Sequence, residues 1–204
     1  MTKCPHCDAT TDPVAEPRCQ GCRALLPLPA GASPFDVLGL PTSYALTAEA
    51  LDAAFRRRSM AVHPDRLARA SDKERRIAVE RTAALTEAHR TLRDVEARAL
   101  ALLRLAGVTP DHRADPTLLA DLMETRERAE QGDDVRRALV EQVGSARAGL
   151  LTDLERRFGE LEREQALRDA ARVAPLGALV TRVRYLTRLW EDLQGQREHA
   201  VHVQ

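Results

Sequence analysis

Apolar residues recur at helical spacing through most of this chain, and the stretches between them carry residues that start and stop helices. "PFDVLGL" reads as a short helix with Ser33 as N-cap, Pro34 in the first helical position and Gly39 as the stop. Thr47 then caps an element in which Leu51, Phe55 and Val62 share a face. Ala50 stands where a capping-box glutamate would, so that box is incomplete. Pro64 forbids the helix to continue and drives His63 out of the α region, which puts His63-Pro64-Asp65 in a loop. The next helix is expected from Ser71–Asp72 to about Asp94, with Ile77, Ala84, Leu85, Ala88 and Leu92 as its stripe. The pair forms an αα-hairpin with a charged tip.

The same period continues in the second half. Asp115 caps a helix that starts at Pro116 and ends at Gly132, with Leu118, Leu119, Leu122, Met123 and Arg126 on one broad face. A second runs from Asp133 to about Phe158 on Val135, Leu139, Val143, Leu150 and Leu154. A third starts near Ala174 and Pro175 and carries Leu179, Val183, Leu186, Leu189 and Leu193. Short connections make these an antiparallel bundle. By spacing alone, Leu119 and Met123 read as bundle core. Tyr185 reads as a core-edge residue with its hydroxyl in water. Trp190 reads as packing, and "ERRFGELERE" as a solvated face with i,i+4 pairs. Few segments alternate strictly, so strands are poorly supported.

Composition narrows the class. Aromatic residues are only 3%, so the core must come from Leu, Ala and Val, which with many Arg and Glu favours helices. Thirty-one basic residues balance thirty-one acidic ones, which disfavours general nucleic-acid binding. No apolar run reaches the roughly 18 residues of a membrane span, and the first residues are cysteines and charges, not a signal core. A soluble cytoplasmic protein is expected.

All four cysteines fall within the first 22 residues, as C-x2-C-x11-C-x2-C. Two tight turns, each offering two thiolates, complete a tetrahedron around one Zn²⁺ at Cys4, Cys7, Cys19 and Cys22. The alternatives are two disulfides, disfavoured in a reducing compartment, and a redox pair, which would need a βαβ context absent here. Iron would use the same four ligands. His6 reads as solvated, and the segment between the pairs as a short hairpin. So small a module cannot hold itself by apolar burial, so the metal supplies folding energy and the site is structural or a docking element. The Pro- and Gly-rich run after it reads as a linker. The expected organisation is all-α: a zinc module over 1–27, a linker over 28–33, a helical-hairpin domain over 34–107 and a three-helix bundle over 112–204.

"FDVLGL", then "RRRSMAVHPDRL", then "LTEAHRTLRDVEARALALL" together resemble the J-domain of DnaJ-type co-chaperones, from Pro34 to Gly107. The resemblance implies that His63, Pro64 and Asp65 touch a DnaK-class ATPase chaperone and trigger its ATP hydrolysis. It implies that Arg56, Arg57, Arg66 and also Arg69 meet an acidic surface there, steering the encounter. Three positions depart from the pattern. Arg58 stands where J-domains usually bury a leucine, with its stem expected to pack and its guanidinium to reach water. Val95 replaces a frequent proline, and His89 a frequent Tyr or Trp.

No Gly/Phe-rich linker or β-rich client domain follows. Instead "LMETRE" and "VRYLTRL" sit in a helical bundle, and the chain from Pro34 onward resembles the HscB co-chaperones of iron–sulfur cluster assembly. That family implies a bundle that binds the scaffold IscU, here through Leu119, Met123, Glu124, Arg126, Glu127 and Tyr185, and a J-domain that delivers it to HscA or a related DnaK-class chaperone. Ala120 stands where the family often has a larger apolar residue. The alternative is a J-protein for another client, with module and bundle as generic interaction parts. An enzyme is not expected, because no nucleophile or orienting carboxylate accompanies His63. A zinc-dependent DNA-binding regulator is not expected either, because Lys3, Arg18 and Arg23 are too few.

Overall fold

The computed structural model describes residues 1–62, 71–111 and 116–195. His63, Pro64, Asp65, Arg66, Arg69, Asp115, His199 and His202 lie outside the described residues. Two compact units divide the chain, Met1–Ala101 and Leu102–Gln204. The first contains β1 (Thr2–Lys3), β2 (Thr10–Thr11), α1 (Pro34–Leu38), α2 (Ala48–Ala61) and α3 (Asp72–Arg93). Then α4 (Val95–Leu105) runs across the division, and the second unit holds α5 (Pro116–Ala129), α6 (Asp133–Arg163), α7 (Ala170–Val173) and α8 (Pro175–Leu193).

In the first unit the helix ends lie where their caps dictate. The Ser33 hydroxyl accepts from the Asp36 N–H while the Asp36 carboxylate accepts from the Ser33 N–H, a capping box. Gly39 closes α1 at φ +63, a conformation that suits glycine. Thr47 caps α2 through the Ala50 N–H. Ser71 and Glu74 form a second box at the start of α3. Asp94 ends α3, and its carboxylate accepts from the Ala97 N–H to start α4.

Helices α2 and α3 run antiparallel, since Asp52 near the start of α2 meets His89 and Arg93 near the end of α3. His89, at a position often aromatic in J-domains, fills that place: its ring lies 4.7 Å from that of Phe55, and Nε2 is 2.7 Å from an Asp52 carboxylate oxygen. Phe35, Leu38, Leu51, Leu85 and Leu92 are buried. So is Arg98, which donates to the Leu92, Tyr44 and Leu46 carbonyls and lies over the Tyr44 ring. Three acceptors allow a buried guanidinium to keep its hydrogen bonds.

In the second unit α6 and α8 form the main seam, with α5 against both. Leu118, Leu122, Ala129, Leu139, Val143, Leu189 and Leu193 make one cluster, and Tyr185, Leu186 and Trp190 pack on it. Gly144 lets α8 approach: a Cβ there would lie 2.9 Å from the Trp190 indole nitrogen. Arg147 covers the same indole at 5.5 Å and donates to the Thr187 hydroxyl. Two expectations need correction. Helix α6 runs on to Arg163, because Phe158 and Leu161 inside the supposedly solvated "ERRFGELERE" are buried. The expected pairs do line its outer face, where Arg156 reaches Asp153 and Glu160. On α8 the buried face is Leu176, Val180, Val183, Leu189 and Leu193, while Leu179 and Leu186 are only partly covered.

Candidate functional site

Each C-x-x-C pair sits on its own turn, and the two turns are built alike. The Cys4 N–H donates to the Ala9 carbonyl and the Asp8 N–H to the Cys4 carbonyl. Further along, Cys19 pairs with Ala24 and Arg23 with Cys19 in the same way. Asp8 and Arg23 each take positive φ, +57 and +65. The repeated text C-x-x-C-x-Ala carried this signal. The expected hairpin between the pairs is therefore not the arrangement found. β1 and β2 bracket the first turn, and an Arg18–Leu25 bridge brackets the second, because each turn closes its own short ladder.

The sulfurs converge. Cys4 and Cys22 Sγ are 3.7 Å apart, Cys7 and Cys19 Sγ 3.6 Å, and all four lie within 4.8 Å of one another. A tetrahedron with metal–sulfur bonds of about 2.3 Å sets its sulfurs about 3.8 Å apart, whereas a disulfide needs about 2 Å. The residues thus fit a four-thiolate metal ion. The His6 N–H points at Cys4 Sγ at 3.5 Å. Cys19 is pulled down to about 7 by the Cys22 backbone N–H against burial. At Cys7 the Ala9 backbone N–H pulls down, but the neighbouring cysteine sulfurs and burial outweigh it and push the thiol up to about 12. Cys22 is raised too. The His6 side chain is exposed and is not among the grouped ligands.

Three side chains of the hairpin fasten this module. Arg81, buried on α3, donates to the Leu26 carbonyl at 2.6 Å and the Pro13 carbonyl at 2.9 Å. Burial and the nearby Arg58 charge pull it down to about 10. The Glu74 carboxylate of the capping box also accepts the Leu25 N–H, which holds its pKa below the usual range. Arg58 does not simply send its guanidinium to water. It donates to the Ala15 carbonyl at 3.2 Å and lies where a Cβ on Gly39 would sit. The position that J-domains fill with a leucine is here a fastening point. Sequence periodicity missed the long-range contacts of all three residues, because their backbone partners lie far along the chain. Arg58 and Ala15 are separated by 43 residues, and Arg81 and Pro13 by 68.

Arg56 and Arg57 stand exposed on the outer face of α2. On α5, Leu118 and Leu122 turn inward, but Leu119 is 42% and Met123 62% exposed. Spacing alone puts both in the core, yet α6 and α8 cover only one side of the broad stripe. Glu124 and Glu127 are exposed beside them. Arg126 pairs with Asp192 of α8 at 2.5 Å, and Tyr185 is half-buried against the cluster. Among the described residues no helix is long and apolar enough to cross a membrane.

Comparison with known proteins agrees on one family. The co-chaperone protein HscB homolog of Burkholderia multivorans is 34% identical over 171 residues, spanning 81% of this chain and 94% of that protein. The chain belongs to the HscB co-chaperone family. An HscB homolog from Arabidopsis thaliana, named an iron–sulfur cluster co-chaperone, is 34% identical over 119 residues, 57% of this chain and 47% of that protein. The crystal structure of human co-chaperone protein HscB shares the fold, with a TM-score of 0.78 and 20% identity over 96% of this chain and 98% of that one. No family model matches the chain. HscB relatives are named as co-chaperones, not as enzymes.

Proposed function

We propose that this HscB-family chain is a co-chaperone of iron–sulfur cluster assembly that stimulates a DnaK/HscA-class ATPase and brings it an IscU-type scaffold. The observation that carries the reading is the exposed apolar pair on α5, Leu119 and Met123, beside Glu124 and Glu127. The bundle closes its core without them. Apolar anchors within a charged rim suit a small, transient protein interface. Tyr185 adds an aromatic anchor, and Arg126 is held in place by Asp192. Ala120, also exposed, makes a smaller contact than the family often has.

Residues 34–107 act as the J-domain. His63, Pro64 and Asp65 contact the chaperone and trigger hydrolysis, while Arg56, Arg57 and Arg66 steer an acidic surface toward them. Residues 112–204 carry the scaffold. Cys4, Cys7, Cys19 and Cys22 hold one Zn²⁺, which cross-links the two turns and does no chemistry. The chain works as a soluble cytoplasmic protein.

The deciding experiment is single-turnover ATP hydrolysis by the organism's own DnaK-class chaperone, with and without its scaffold protein, comparing wild type with His63→Gln. Stimulation that the substitution abolishes and the scaffold enhances is the expected result. Stimulation indifferent to the scaffold would leave a J-protein for another client.

A further inference from the structure

A groove of about 500 Å³ lies between the tetracysteine module and α2, within the first unit. Arg18 and Arg23 line it from the module, Arg57 and Arg58 from α2, with Ala61 beside them and Glu16 as the one carboxylate. Backbone carbonyls hold two of these arginines, so their charge is not cancelled. Arg18 donates to the Arg23 carbonyl at 3.1 Å and Arg58 to the Ala15 carbonyl at 3.2 Å. Among the described residues none of the four forms an ion pair. The Arg58 pKa is lowered first by burial and then by the Arg57 charge, and Glu16 and Asp12 offset part of that.

We infer that this groove is a docking site for an acidic segment of the ATPase chaperone, gripped between the metal module and the basic face of α2. The inference rests on the co-chaperone reading above and extends it to the module. Guanidinium groups offer forked donors that match carboxylates. One wall is α2 itself, which carries Arg56 and Arg57 and leads in sequence toward His63. The occupant therefore belongs to the protein that meets α2. The balanced overall charge gives no general pull on a polyanion such as nucleic acid. The other wall exists only while the cysteine turns hold Arg18 and Arg23 in place, which joins the metal site to the chaperone surface.

The test uses the full zinc-loaded chain and reads the concentration that half-saturates stimulation of the chaperone's ATP hydrolysis, at low and high salt. Arg23→Glu probes the module wall alone, since the Arg23 side chain is exposed. It should raise the half-saturating concentration about fivefold at low salt, with the gap narrowing as salt screens it. Arg57→Glu should act similarly, and the double variant should fall short of the product, because both walls hold one segment. Zinc content shows that the module is intact; should Arg23→Glu lose zinc, Arg23→Gln reads the same wall. An Arg23 variant that matches wild type while Arg57→Glu weakens coupling would overturn the groove and leave α2 as the surface, and so would wild-type behaviour in both. Failure of the underlying reading looks different: the wild type then stimulates no better than His63→Gln, and the groove falls with it.

Discussion

The start of the chain closes on two cysteines and a leucine, Cys4, Cys19 and Leu26, whereas the bundle closes on a seven-residue apolar cluster with larger side chains packed around it. The small module has too little apolar surface to fold by burial, so it relies on directional contacts: sulfurs aimed at one point, turn ladders, and Arg58, Glu74 and Arg81 reaching in from α2 and α3. The bundle relies on bulk. It therefore has apolar residues to spare, and leaves Leu119 and Met123 outside. Charge and metal geometry make a surface in one region; surplus hydrophobicity makes it in the other.

That contrast predicts unequal responses to mutation. Cys19→Ser, or a strong chelator, should take zinc stoichiometry from one to none and strip amide protection from residues 1–26, since a structural zinc contributes about 10–16 kcal/mol to folding. Phe158→Ala in the bundle should cost about 3–5 kcal/mol in urea unfolding, with zinc still bound. Arg81→Ala should cost about 2 kcal/mol by leaving the Leu26 and Pro13 carbonyls without their donor, and should hasten zinc release to a chelator. Equal zinc release from that variant and wild type would mean the module does not depend on α3.

The sequence made the helix starts legible because caps are local: Ser33, Thr47 and Pro175 lie where the chain's own next few residues need them. The four ligands were legible because the metal constrains spacing. The buried arginines were not, since a guanidinium in a core is explained only by carbonyls brought from distant segments, as Tyr44 and Leu46 are brought to Arg98. The outward turn of Leu119 and Met123 was not legible either, because helical period marks a stripe but not how much of it the neighbours cover.

Two smaller effects sharpen the comparison. Met123→Ser should change folding stability by no more than about 0.5 kcal/mol yet weaken scaffold binding about tenfold in titration calorimetry, as suits a residue whose task lies outside the core. The first unit should also be acid-sensitive. His89 and then Arg93 hold the Asp52 carboxyl below its ordinary range, and the Leu25 N–H does the same for Glu74. Depressed folded-state values contribute stability that is full above the unfolded carboxylate range near pH 4 and is lost as pH falls through the lower folded values. Asp52→Asn should therefore flatten the loss of stability below about pH 4; an unchanged slope in urea titrations would remove Asp52 from the account. In the bundle Asp153 is likewise depressed, but by Arg156 and Arg157 of its own helix, so its titration should loosen α6 locally without separating it from a neighbouring helix.

Arg58 and Arg81 have an evolutionary corollary. Each is useful only while Ala15, Pro13 and Leu26 present their carbonyls, and without those acceptors a half-buried or buried cation is a burden that drift toward leucine or methionine would relieve. Across the family, these two arginines and the four cysteines should be inherited and lost as one set, so that an HscB sequence with an apolar residue at both positions would announce, before any metal was assayed, that its N-terminal module is gone.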